Sequence, residues 1–338
     1  MMSKKYIAIV VAAVLGVVAL VMSHHRTQNA QWRECVGVVW TTDYHIVYLG
    51  SCDLSDSIQA VLQAVDRSAS VYNKVSLVAR FNAGTQVQAD AIIDTLITAS
   101  RAVHESSGGA FDPTVMPLVN AWGFGYKNGE LPTQSQIDSI LQFVGLGKVN
   151  LHDGLLTKAD PRVQLDFSSI AKGLACDEVG RMLQRNGVAS FMVEIGGEVA
   201  CAGTNRTGEP WQVSVDLPSD QPDSVSHEAA LVMALDKGGV ATSGNYRKYR
   251  ESGGQRISHI VNPKTGRSET NSLLSVTIVA PSCMLADAWA TACMVMGTAA
   301  VQQMMEGRAD LGVMTISAGD EGRLVVWSNA TFARLVSQ

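Results

Sequence analysis

The sequence predicts a mixed α/β (α+β) fold, and three observations lead there. Short apolar runs of strand length alternate with segments whose apolar residues recur every three or four positions. No Pro- or Ser-rich linker divides the chain after residue 30. Finally, 46% apolar residues over 338 positions supply a sizeable core and exclude disorder for most of the length. The expected organisation is an N-terminal membrane anchor or signal segment over residues 1–30, then one domain over residues 31–338, with mixed sheets and flanking helices.

Lys4 and Lys5 precede an uninterrupted apolar run of 17 residues, Tyr6 to Met22, which His24, His25 and Arg26 end. At about 1.5 Å per residue a helix of that length reaches about 25 Å, enough for a signal anchor or a signal-peptide core. Leading positive charge favours a cytoplasmic N-terminus, which places the following domain on the exported side. The expectation is therefore membrane anchoring with the large domain facing the periplasm. A buried core helix is the alternative, but one without any polar face seldom sits at a terminus.

Val36, Val38 and Trp40, then Tyr44, Ile46 and Tyr48, alternate as an opening hairpin. Asp53 is placed to cap a helix with the apolar face Leu54, Ile58, Val61, Leu62 and Val65. Ala91 to His104 forms a second helix through Ile92, Leu96, Ala99 and Val103, and Thr133 after Pro132 opens a third that stops at Gly145. Ser168 to Gln184 makes a fourth, closed by Asn186-Gly187. Strands are expected at Phe191–Ile195, Trp211–Leu217, Leu231–Leu235, Leu273–Ala280, Leu311–Ser317 and Leu324–Trp327, with a fifth helix over Met284–Gly297. No internal repeat is evident.

Composition removes several functions. Twenty-six Lys+Arg against 31 Asp+Glu give a net charge of -5 and no long basic run, which argues against nucleic-acid binding. The six Cys form no CxxC, so neither a zinc ribbon nor a dithiol redox motif can be written. Cys283 and Cys293 are ten helical residues, about 15 Å, apart and cannot pair. Most of the cysteines read as small buried apolar residues.

Four stretches carry chemistry. Gly108-Gly109-Ala110-Phe111-Asp112-Pro113 leads to Trp122-Gly123-Phe124-Gly125, where glycines let a ligand approach and Asp112 and Trp122 offer an anchor and a stacking face. An ordinary surface loop with a buried Trp is the other reading. Leu165-Asp166-Phe167-Ser168-Ser169-Ile170-Ala171-Lys172-Gly173 runs from a strand end into a helix, a junction suited to phosphate, with Lys172 as a cation one turn in. Asp166 could equally be only a cap. Glu194-Ile195-Gly196-Gly197-Glu198 sets an acid on each side of a glycine turn, either to hold ribose hydroxyls or as a plain hairpin.

The fourth stretch combines Thr242-Ser243-Gly244, Ser258-His259-Ile260-Val261-Asn262-Pro263-Lys264-Thr265-Gly266 and the helix segment Asp287–Thr291. Asp287 and Thr291 are four apart and share a helix face, so a carboxylate and a hydroxyl converge as half a shell for Mg²⁺. A capping Asp and a back-bonded Thr explain the same spacing. His259 is a general base or an ordinary strand-end imidazole.

Taken together, FDPTVMPLVNAWGFG, LDFSSIAKG, EIGGE, ATSGNY, SHIVNPKTG and the DAxAT helix resemble the ApbE family, the FAD:protein FMN transferases, from about Val36 to the C-terminal region. The resemblance implies an FAD cleft between sub-parts of one domain. It implies Mg²⁺-dependent cleavage of the FAD pyrophosphate, transfer of FMN to a Ser or Thr hydroxyl of an acceptor protein, and release of AMP. The acceptor it implies is a membrane or exported redox-complex subunit.

Carried over residue by residue, Asp166 and Lys172 are FAD contacts, with Asn82 a further one. Ala110, Phe111, Asp112, Gly196, Gly197, Glu198, Thr242, Ser243, Gly244 and Ile260 line the same cleft. Ser169 gives a metal ligand through its carbonyl, and Asp287 and Thr291 through their side chains. His259 activates the acceptor hydroxyl. The chain departs from the family twice. Ala290 stands where some members carry a second acid, and Trp40-Thr41-Thr42 replaces Met-Gly-Thr, setting an indole in place of a thioether beside the flavin. Two other functions stay open, a Mg²⁺-dependent FAD pyrophosphatase giving FMN and AMP and a membrane-anchored FAD-binding protein without turnover.

Overall fold

The computed structural model describes residues 30–84, 86–125, 131–216, 229–245, 249–252, 255–269, 271–320 and 323–336. The expected membrane segment at 6–22 lies outside the described residues, as do Leu217 and Tyr246. Among the described residues no helix is long and apolar enough to cross a membrane.

β1 (Gln31–Val39) and β2 (Thr42–Gly50) form the opening hairpin, paired in register from Gln31 with Gly50 to Val39 with Thr42. α1 (Ser55–Ala69) begins two residues after Asp53, whose carboxylate accepts from Ser55 N at 2.9 Å and Ser55 Oγ at 2.6 Å. Leu54 takes the cap position instead, because its N–H donates to the buried Tyr48 hydroxyl at 2.8 Å. α2 (Leu77–Asn82) is capped by Ser76, and after β3 (Val87–Gln88) α3 (Ala91–Ser106) is capped by Asp90. α4 (Met116–Ala121) and α5 (Gln134–Leu141) follow, the latter opened by a Thr133–Gln136 capping box. β4 (Val149–His152) and β5 (Leu155–Lys158) complete a small sheet with β3.

α6 (Ala171–Arg185) starts three residues later than periodicity suggests. Asp166 accepts from Ser168 N at 2.8 Å and the Phe167 carbonyl takes both Ile170 N and Ala171 N, so 166–170 is a turn and not a first helical turn. Then come β6 (Phe191–Ile195), β7 (Glu198–Ala202), a hairpin of β8 (Trp211–Asp216) and β9 (Ala229–Leu235), β10 (Lys237–Gly244), and a second hairpin of β11 (Tyr249–Ser252) and β12 (Gln255–Ser258). β13 (Leu273–Ala280), α7 (Cys283–Met296), α8 (Thr298–Met305), β14 (Gly312–Ala318), β15 (Leu324–Ser328) and α9 (Ala330–Val336) close the chain.

The main sheet has eight strands in the order β1-β2-β6-β7-β10-β13-β14-β15, each described pair antiparallel. Strand alternation divides its side chains between two cores. Tyr44, Ile46, Val193, Ile195, Val276 and Ile278 face α1, α6 and α7. Val47, Val199, Val240, Val279 and Met314 face the β8–β9 hairpin and Phe332 of α9. Both faces are therefore covered, which is why β7 is buried at every position and reads as a continuous apolar run. A separate small cluster of Leu118, Ile137, Val144 and Val261 ties α4 and α5 to the segment after β12. Five of the six cysteines are buried and Cys52 is exposed, all as thiols.

Candidate active site

One end of the main sheet gathers the β1–β2 turn, the β6–β7 turn and the last residues of β10. Gly196 and Gly197 adopt φ of 61° and 98°, which glycine alone takes readily. A side chain at Gly196 would also come within 2.7 Å of Thr42 Oγ1, and its N–H donates to Asp43 O at 3.0 Å, so the two turns are packed together. Glu194 braces the turn by accepting from Gly197 N at 2.6 Å. Glu198 points the other way, is 4% exposed and pairs with Lys172 of α6.

The helix that carries Asp287 and Thr291 is seated against this pair by two glycines. A Cβ on Gly173 would lie 2.4 Å from Cys283 O, and one on Gly239 2.2 Å from Cys283 Cα, so the start of α7 fits between α6 and β10 only because both positions are bare. Asp177 of α6 accepts from Cys283 N and Met284 N, each at 2.9 Å, and Ser282 caps Leu285 N. Burial raises the pKa of Asp177, and the two N–H bonds oppose that rise. Asp287 is then held with Oδ2 accepting from Gly173 N at 3.1 Å. One turn on, Thr291 Oγ1 lies 3.4 Å from Ser243 Oγ. Strand alternation sends Thr242 to the opposite face, where its hydroxyl meets that of Thr277 at 2.9 Å.

Lys172, Glu198 and Asp287 thus form a trio of two buried acids and one partly exposed ammonium. Burial works against the Lys172 charge, but Glu198 and then Asp287 outweigh it and raise its pKa. Burial, with the Asp287 charge adding to it, pushes Glu198 up to about 8, and burial raises Asp287 as well. Fully ionised, the trio carries one excess negative charge, which a proton or a bound cation relieves. That electrostatic state, with hard oxygen donors from Asp287 and Thr291, fits Mg²⁺. Among the described residues no group of three or more His, Cys, Asp or Glu gathers as a metal site, so a cation here depends on hydroxyl, carbonyl and water or phosphate oxygens.

The remaining loops converge through backbone contacts. Asn82 and Leu165 bond reciprocally, Nδ2 to O at 2.8 Å and N to Oδ1 at 2.7 Å, and Asp166 N donates to Pro113 O at 2.8 Å. Asp112 is buried and bonded internally, Oδ1 to Thr114 N at 2.8 Å and Oδ2 to Leu146 N at 2.9 Å. The side chains of Asn82 and Asp112 therefore hold the loops that carry Asp166 and the core-facing Ala110 and Phe111, whose side chains are buried and leave only their backbone to a ligand. Ser169 occupies the turn just before α6.

His259 follows β12, with its ring centroid 6.2 Å from that of Phe124. Ile260 is buried beside it. Trp122 Nε1 donates to Gly266 O at 2.8 Å, while Asn262 Oδ1 takes Lys264 N and Thr265 N, locking the Trp-Gly-Phe-Gly and Asn-Pro-Lys-Thr-Gly segments together.

Sequence reasoning missed Asp177 and Tyr72. Asp177 caps a helix more than a hundred residues away, which no local pattern signals. Tyr72 stands 70% exposed near Asp166, and crowding around its ring followed by the Asp166 charge raises its phenol pKa.

The ApbE family model matches residues 40–315. The FAD:protein FMN transferase of Escherichia coli (strain K12) is 33% identical over 292 residues, 83% of this chain and 81% of that protein. The protein of that name from Vibrio cholerae serotype O1 (strain ATCC 39541 / Classical Ogawa 395 / O395) is 35% identical over 297 residues, 85% of this chain and 87% of its own. Among solved structures, the flavin transferase ApbE from Vibrio cholerae superposes with a TM-score of 0.80 at 32% identity, covering 90% of this chain and 99% of that one. The apo form of the Pseudomonas stutzeri flavinyl transferase ApbE gives 0.82 at 31% identity, covering 91% and 98%. The order of motifs, the antiparallel sheet that presents them and these similarities agree: the chain belongs to the ApbE family.

Proposed function

We propose that the protein is a FAD:protein FMN transferase that moves FMN from FAD to a Ser or Thr hydroxyl of an acceptor protein and releases AMP. The observation that carries this reading is the trio of buried Glu198, buried Asp287 and half-buried Lys172 beside the Asp166 loop. An excess of buried negative charge set against an ammonium and a helix start is a place for a cation and a pyrophosphate together.

Asp287, Thr291 and the Ser169 carbonyl are the residues that would hold Mg²⁺, which when bound neutralises charge on the pyrophosphate. Lys172 contributes a fixed positive charge at the same place, and Glu198 keeps its ammonium oriented. His259 accepts the proton of the acceptor hydroxyl as that oxygen bonds to the FMN phosphorus. The bond from that phosphorus to the bridging oxygen breaks, and AMP leaves with the bridging oxygen. Asp166 positions FAD, with the backbone at Ala110 and Phe111 and with Ile260 as the further contacts of this reading. Lys4-Lys5 ahead of the apolar run 6–22 supports a membrane anchor with this site on the exported side, where a redox-complex subunit would be the acceptor.

The test is incubation of the purified protein with FAD, Mg²⁺ and an acceptor protein, followed by AMP assay and denaturing electrophoresis. A flavin-fluorescent acceptor band with matching AMP is expected. AMP without such a band would make the protein a pyrophosphatase, and neither product would refute catalysis.

A further inference from the structure

We infer that Cys176 of α6 and Cys283 of α7 are a disulfide site: a chain that folds in the presence of a disulfide oxidant closes a bond between them and so fastens α6 to α7. The inference needs neither FAD nor transfer and stands apart from the proposed function. The structure shows the pair reduced.

Three sets of contacts bring the two residues together. The first is the seat of α7 on α6. Gly173, Cys176 and Asp177 share one helix face, three and four positions apart. Gly173 lies so close to the Cys283 carbonyl that a Cβ would come within 2.4 Å of it, and Asp177 takes the Cys283 and Met284 N–H groups at 2.9 Å each. Cys176 stands between these two grips. The second is the sheet beneath them. Cys176 Sγ donates to Glu198 O at 3.3 Å and Cys283 Sγ to Val240 O at 3.5 Å. Glu198 adjoins Val199, which pairs directly with Val240 across β7 and β10, so both sulfurs rest on one place in the sheet. The third is direct, because the two thiols hydrogen-bond to each other. The other buried cysteines have different neighbours: Cys35 faces the Tyr44 hydroxyl, Cys201 the Leu235 carbonyl and Cys293 the Arg308 charge.

A disulfide sets its sulfurs about 2.05 Å apart and forms only where the two backbones already approach closely. That approach is present here. Closing the bond gives up S–H donors that are weak, and no charged partner. One cysteine, as thiolate, attacks a sulfur of a small disulfide such as glutathione disulfide and expels a thiolate. The second attacks the protein sulfur of that mixed disulfide and expels the other. Two protein thiols thereby lose two electrons and two protons, and the oxidant leaves as two thiols. Burial raises the pKa of both cysteines, that of Cys283 well above the ordinary thiol range, so the seated pair is a poor nucleophile. The bond therefore forms before α7 settles, and burial then shields it from reductants. It holds together the two helices that carry Lys172 and Asp287.

Two preparations test this: the whole chain refolded from reduced, unfolded material in glutathione and glutathione disulfide, and the whole chain made in an oxidising compartment. Each is alkylated in denaturant, digested and analysed by mass spectrometry. A peptide pair joined through Cys176 and Cys283 is expected, with the other four cysteines alkylated. The linked protein should melt about 5 °C above the reduced one, because the link closes a loop of more than a hundred residues in the unfolded chain. Cys176→Ala and Cys283→Ala should each erase that difference. Recovery of both cysteines alkylated from folded protein of either preparation would overturn the inference, as would either cysteine joined to a different one. So would a lower melting temperature in the linked protein, which would mean that the bond distorts the seat of α7.

Discussion

The N–H of Gly173 donates to Oδ2 of Asp287 at 3.1 Å, a bond that joins the first turn of α6 to the middle of α7. The same glycine is bare where a side chain would strike the Cys283 carbonyl. One residue therefore sets both the spacing of the two helices and the orientation of the acid between them.

Gly173→Ala is expected to displace the start of α7 and with it Asp287. Overpacking of this kind costs about 1–3 kcal/mol. FMN transfer should fall at least tenfold even where the protein remains folded, and denaturant unfolding beside a transfer assay checks both. Full transfer in a folded variant would show that the helix spacing is not critical.

Asp287→Ala should reduce transfer far more than FAD binding. FAD is held along several loops, whereas Asp287 is assigned to fix the cation whose charge matters most as the phosphorus moves. The loss should be on the order of 10²-fold or more in rate. Transfer rate and FAD affinity, measured at saturating Mg²⁺, decide it, and near-normal transfer would remove Asp287 from the metal.

His259→Ala should slow transfer while leaving the dependence on Mg²⁺ concentration intact, because a general base acts on the acceptor and not on the cation. A Mg²⁺ titration of the residual rate is the measurement. A shifted midpoint would place His259 among the metal contacts instead.

Burial moves Glu198 from 4.5 up to about 8 in the metal-free protein. A folded pKa above the unfolded one means that the native state holds the extra proton between these values. Stability from this group is full below 4.5 and declines as pH rises toward 8. The Glu198→Gln protein cannot titrate there, so the melting-temperature difference, wild type minus variant, should fall across that window. A flat difference would show that Glu198 is ionised throughout.

Much of this was legible in the residues. Period-two alternation marked the β1–β2 hairpin, and the Asp287–Thr291 spacing put two oxygens on one helix face. Other features depend on contacts between distant segments. Asp112 looked like a ligand anchor because it follows two glycines, yet its oxygens are taken by Thr114 and Leu146. Thr242 and Ser243 are adjacent in sequence but alternate across a strand, so only Ser243 meets Thr291. Asp177 had no local signature because the helix it caps begins at Cys283.

The seating of α7 also bears on when the protein can first work. Asp287 comes to rest against Gly173, 114 residues earlier, and β2 finds its partner only in β6. Contacts of such long sequence separation form slowly. The Asp166 loop has been made by the midpoint of synthesis, but the acid that faces it arrives with the last sixth of the chain. A nascent or truncated polypeptide that ends before Ser282 has no complete site. Transfer activity therefore reports that the chain has been made and folded through α7, wherever in the cell that happens.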